Sequence, residues 1–165
     1  MTLRTRELIV ATAAGAAASC AMDVVQDGLA ALFERQRAPG DHDEETDAIE
    51  SVVRLIGTFA PSFATEGASR WTARACHYLF GIGFAFAYVA AVRRVRRIAA
   101  CRGVAFGTGL FLLSDRILIP MLKLGRSWDR YSRSERLNAL ASHVAYGVVL
   151  ETVRARFAGE RGAGR

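Results

Sequence analysis

Two aspartates and two histidines stand where ionisable groups are costly. Asp23 follows Gly15 by eight residues and Asp115 follows Gly107 by eight, each pair within an apolar stretch. Each stretch leads to a second one that carries His-x3-Gly, at His77 to Gly81 and at His143 to Gly147. The chain reads as one two-helix unit written twice, with an acid and an imidazole at matched places. An ionised Asp at the centre of a membrane helix costs roughly 2.5–3.5 kcal/mol, so each acid must pair, take up a proton or face the bundle interior. Imidazole is the natural partner, since it changes charge between about pH 5 and 8. The chemistry open to such a set is proton binding, ion handling or, through the ring nitrogens, ligation of a metal or haem.

Further polar groups lie in register with this set. Asp27 is one turn beyond Asp23, and Glu151 is eight residues after His143 on one face. Tyr88 follows His77 by eleven residues, and Tyr146 is one turn from His143. Together they can form a discontinuous proton-accepting path. Each residue alone also has a plainer reading. Asp27 and Glu151 stand near span ends, where water can solvate them. His77 is close enough to an interface to bond a carbonyl, and Asp115 can pair with an arginine of another helix. Polar glue between the two halves is the rival to a functional site.

The elements that must position these residues are helices. Hydrophobic residues make up 52% of the 165 and charged ones 23%, near soluble averages, so distribution decides the class. Four long stretches are nearly free of charge and give candidate spans at Leu8–Phe33, Ala75–Val92, Gly103–Leu124 and Leu137–Val153. A span needs about 20 mostly apolar residues, with roughly 17 tolerated. Phe80 to Val92 is apolar all the way round, which a one-sided helix of a soluble bundle is not. The expected fold is all-α, an integral membrane four-helix bundle of two parallel two-helix repeats, forming a single domain over residues 1–157. Residues 158–165 read as a disordered Gly/Arg/Ala tail.

Arg93, Arg94, Arg96, Arg97 and Arg102 fill the short link between spans two and three, which places that link and both termini on the cytoplasmic side. The connection 34–74 opens with Pro39-Gly40 and an acidic run. Within it Ile49, Val52, Val53 and Ile56 recur at helical spacing, predicting an amphipathic helix over Thr46 to Gly57. Gly15, Gly81, Gly103, Gly107 and Gly147 predict close helix approaches, with packing inside the monomer preferred to a dimer motif. Pro120 predicts a kink or an end late in span three. Cys20, Cys76 and Cys101 are odd in number and lack CxxC spacing, which excludes a complete disulfide framework.

With four spans and the termini inside, Asp23, His77, Asp115 and His143 are expected at one level in the outer half of the bilayer. Several of these residues form a pattern similar to that of a known family. Asp115-x4-Pro120-x4-Gly125, then Ala141-x-His143-x2-Tyr146-Gly147 and Glu151, resembles the second half of the YagU-like bacterial inner-membrane proteins. His77-Tyr78-x2-Gly81 with Tyr88, and Gly15 to Asp23, resemble their first half, whereas Phe33-Glu34 followed by Pro39 departs from the acidic-proline element found there. The resemblance implies a multi-pass protein of the bacterial inner membrane without established activity, loosely linked to acid tolerance. It transfers no catalytic residue.

Three functions remain open from the sequence. The first is a proton-responsive protein for acid tolerance or ion handling. The second is a haem- or metal-binding bundle with His77 and His143 as ligands, although no resident cofactor is expected. The third is a non-catalytic accessory or structural subunit of a membrane complex. No GxSxG, HExxH or phosphate-cradling Gly loop is present, so no enzyme activity is expected. The net charge of +6 comes with no aromatic-interleaved basic surface, so nucleic acid is not an expected partner. The expected partners are the lipid bilayer and either a second copy or another membrane subunit.

Overall fold

A computed structural model describes residues 5–34, 66–121 and 131–159. All of the regular structure among them is helical. Helix α1 spans Thr5–Glu34 and α2 spans Glu66–Arg94. A 3₁₀ segment at Arg96–Gly103 leads into α3, which runs over Val104–Leu113. It continues through a π-helical turn at Ser114–Leu118 into a last turn at Ile119–Met121. Helix α4 spans Arg133–Gly159.

Three of these segments are long and apolar enough to cross a membrane: Thr5–Phe33, Trp71–Arg94 and Cys101–Met121. Their surfaces agree with that composition. Leu79 is 68% exposed, Ile9 64% and Phe80 55%. Apolar surface on this scale fits lipid far better than water. Helix α4 is long enough but is not among the three. Its polar residues explain why: Asn138, Ser142, His143, Glu151 and Arg154 lower its hydropathy, and Ser142, His143 and Glu151 are buried.

The helices alternate in direction, and α1 and α4 share the most extensive contact, whereas the tightest backbone approaches are those of α1 on α2 and of α3 on α4. Helix α2 packs on α1, and α3 packs on α4. The small residues Ala11, Ala14 and Ala18 are all fully buried on one face of α1, and Ala14 and Ala18 belong to the core. Tyr88, Tyr146 and Leu150 fill the core beside them, and the Tyr88 ring lies 4.4 Å from that of Phe106. Two parallel repeats would make the α1–α4 and α2–α3 interfaces equivalent. Here α1 and α4 share the most extensive interface, whereas α2 and α3 meet chiefly through the Tyr88–Phe106 rings and the 3₁₀ segment.

Several element boundaries differ from expectation. Helix α2 begins at Glu66, nine residues before the expected span, because charge locates the start of apolar surface and not of helical backbone. Ala68, Arg70, Ala73 and Arg74 are all good helix formers. Helix α4 likewise runs to Gly159, past the residue 158 at which a disordered tail was expected. Helical backbone runs through Pro120 to Met121, the last described residue of this segment. A π turn precedes Pro120, with the Ile119 amide bonding the Ser114 carbonyl, and this absorbs the proline's missing donor. The amphipathic helix expected over 46–57 lies outside the described residues, as do the end of span three and residues 160–165.

Candidate functional site

Close glycine contacts set up the site in both halves. A Cβ on Gly15 would lie 2.8 Å from Ile82 Cα and 2.9 Å from Ala85 Cβ, so α1 and α2 touch backbone to backbone there. A Cβ on Gly107 would collide with the His143 carbonyl and lie 2.9 Å from Val144 Cα. Gly147 faces Gly103 and Gly107 equally closely, and Ser19 lies over Gly81. These contacts are all within the chain.

From each crossing the same step reaches an acid and an imidazole. Eight residues up the odd helix is a rise of roughly 12 Å, and four residues back along the antiparallel even helix is roughly 6 Å in the same direction. The Cα–Cβ bonds of a helix lean towards its own N-terminus, so on antiparallel helices the two side chains lean towards each other. That closes the difference. Asp23 Oδ1 of α1 lies 3.0 Å from His77 Nε2 of α2. Asp115 Oδ2 of α3 lies 3.6 Å from His143 Nε2 of α4.

The surroundings of the two pairs differ. In the first, the contact is an ion-pair approach whose angles fall outside those of a hydrogen bond. In the second, Ser114 sits between the partners, its Oγ 3.2 Å from both His143 Nε2 and Asp115 Oδ2. The same hydroxyl donates to the Leu110 carbonyl at 2.8 Å. His143 Nδ1 meets the Ala139 carbonyl at 2.8 Å, and the Phe111 ring stands edge-on to the imidazole with centroids 5.8 Å apart. Both Ser114 and Asp115 belong to the π turn of α3. Such turns recur at functional sites because the extra residue re-aims side chains.

The other candidates lie elsewhere. Asp27 is exposed on α1 and is not drawn into the first pair. Tyr146 is buried and donates to the Gly81 carbonyl, tying α4 to α2. Glu151 is buried towards the opposite end, where it accepts from Tyr88 at 2.7 Å. Arg154 donates to the same carboxylate twice, at 2.6 and 2.7 Å. No group of three or more His, Cys, Asp or Glu placed to hold a metal occurs among the described residues, so the acids and imidazoles come together as pairs.

Two participants escaped the sequence reading. Ser114 carried the one available signal, a polar residue beside Asp115 in an apolar run. Glu7 is buried and accepts from Arg93, 86 positions away. No local pattern marks that pairing.

The chain's residues 54–152 match the model of a family described as a protein of unknown function (DUF1440), and the chain belongs to that family. No curated protein and no solved structure matches it.

Proposed function

We propose that this DUF1440 protein is a proton-responsive, non-catalytic membrane bundle whose two acid–imidazole pairs are its protonatable sites. The observation that carries the reading is the pairing itself. Each acid comes within ion-pair reach of the imidazole of its own half, at 3.0 and 3.6 Å. The likeness to YagU-like inner-membrane proteins, loosely linked to acid tolerance, points the same way.

The second pair supplies the chemistry. His143 Nδ1 faces a carbonyl and so must carry its hydrogen. In a neutral ring that leaves Nε2 as an acceptor, facing Ser114 and Asp115. An ionised carboxylate is acceptor-only, and the single Ser114 hydrogen can serve only one of the acceptors it faces, among them the Leu110 carbonyl, the Asp115 carboxylate and His143 Nε2. An added proton, shared between Nε2 and the carboxylate, gives the Asp115–His143 contact a donor of its own. Losing it sets two acceptors against each other across the π turn, and repacking of α3 on α4 relieves the conflict. The first pair has no such lock on its ring and serves as the looser of the two sites.

A cofactor role is less well supported. His143 already uses both nitrogens within the protein, which leaves none directed at a metal or haem. The test is an imidazole NMR titration in detergent between pH 5 and 8, alongside thermal unfolding across the same range. The expected result is pH-dependent unfolding that Asp23→Asn with Asp115→Asn abolishes while the protein remains membrane-inserted. A pH profile unchanged in that double variant leaves the pairs as structural glue and defeats the proposal.

A further inference from the structure

The end of the bundle where α1 begins and α2 and α4 finish carries charge that the acid–imidazole pairs do not use. Among the described residues this end holds two acids, Glu7 and Glu151, and both are buried. Glu7 pairs with Arg93, and Glu151 pairs with Arg154. Arg94, Arg97, Arg102 and Arg156 remain at the same end, all exposed.

Their backbone is not a loose link. Ile98 and Ala99 of the 3₁₀ segment pack against the core. Cys101, Arg102 and Gly103 take successive left-handed conformations, with φ of 55°, 53° and 87°. Gly103 is seated against the Gly147 carbonyl with no room for a Cβ, which pins the end of the segment to α4. The guanidinium groups are thus presented by a held scaffold. Val95 and Val104 flank them and are 49% and 38% exposed, so the arginines sit where apolar helix surface gives way to water. That is the depth of lipid headgroups.

We propose that this arginine rim binds the phosphodiester headgroups of anionic phospholipids. Guanidinium forks match a phosphodiester two bonds at a time, which a lysine ammonium cannot do. Of the 22 basic residues in the chain, Lys123 is the sole lysine. A flank that merely orients insertion works with lysine and arginine alike. Juxtamembrane basic clusters of this size attract anionic lipid with an energy that accumulates over each cation. The rim is independent of the acid–imidazole pairs, so either can fail without the other.

The test is lipid binding to the full-length purified protein, read by native mass spectrometry and by thermal shift. Phosphatidylglycerol, phosphatidylcholine and inorganic phosphate are titrated separately. Wild type is expected to retain phosphatidylglycerol and to be stabilised by it, with no comparable effect of phosphatidylcholine. Arg94→Gln with Arg97→Gln and Arg102→Gln is expected to weaken that binding on the order of a hundredfold. The matching triple Lys variant keeps the charge that directs insertion, and should insert normally while binding several-fold more weakly. Equal binding of phosphatidylcholine, or full binding by the Gln variant, overturns the proposal. Wild-type affinity in the Lys variant overturns the guanidinium assignment. Displacement of the lipid by millimolar inorganic phosphate overturns the assignment to a lipid surface.

Discussion

The first and second halves of the bundle carry the same glycine, acid and imidazole at the same spacings, yet build two different sites. Asp23 and His77 meet across regular helices, with side chains 28% and 16% exposed. Asp115 and His143 are more enclosed, at 19% and 11%, and the acid lies on a π turn that also delivers Ser114. Identical spacing therefore secures the meeting of two groups but not what the meeting can do. The local backbone and the third partner decide that. The same contrast holds eight residues beyond each histidine. The second half has Glu151 there, joined to Tyr88 and Arg154, and the first half has Ala85, fully buried in the core.

The largest expected effect comes from removing the group that has no counterpart in the first half. Glu151→Ala leaves the Tyr88 hydroxyl without its acceptor and Arg154 without its counter-charge. Breaking a buried pair from one side costs about 3–5 kcal/mol. Because Arg154 is 23% exposed and can reach water, the lower end of that range is expected. Thermal unfolding in detergent measures it, and a change indistinguishable from that of a surface alanine would mean the network is not structural.

Next come the glycine contacts. Overpacking costs about 1–3 kcal/mol, and a side chain at Gly107 must displace the His143 backbone itself. Gly107→Val is thus expected near the top of that range and Gly15→Val below it. The Gly107 variant should also separate Asp115 from His143. A Gly107→Val protein as stable as wild type would refute the close α3–α4 contact.

The smallest effects sharpen the comparison most. His143→Gln is expected to cost about 1–2 kcal/mol, since it disturbs partners at both ring nitrogens. His77→Gln is expected to cost less than about 1 kcal/mol, and Ser114→Ala about 1 kcal/mol. Equal losses at His77 and His143 would restore a symmetric pair of sites and remove the special status of the π turn.

How much of this could be read from residue order varies with distance along the chain. The helices were legible because long uncharged runs and Gly spacing are local signals. The acid–imidazole pairs were legible for a related reason: with the topology guessed, eight residues up one helix and four back along the next is simple arithmetic. Among the described residues, no three of these groups converge with metal-binding geometry. Helix α2 starts nine residues before the apolar span Ala75–Val92, because charge limits apolar surface and not hydrogen-bonded backbone. The Glu7–Arg93 pair, the π turn before Pro120 and the central place of α4 carried no readable local sign.

The amino-acid sequence by itself determined the helical class, the apolar segments, the arginine-rich link and the matched Gly–Asp and His–Gly spacings. All of these follow from periodicity and from the cost of charge in apolar surroundings, which act over a few turns of helix. The tertiary structure alone decided that α1 and α4 share the most extensive interface. It also decided that Ser114 enters the second pair, and that Glu7 and Glu151 each take an arginine. Those outcomes depend on which small residues let two backbones touch, and that is a property of facing surfaces rather than of any one segment.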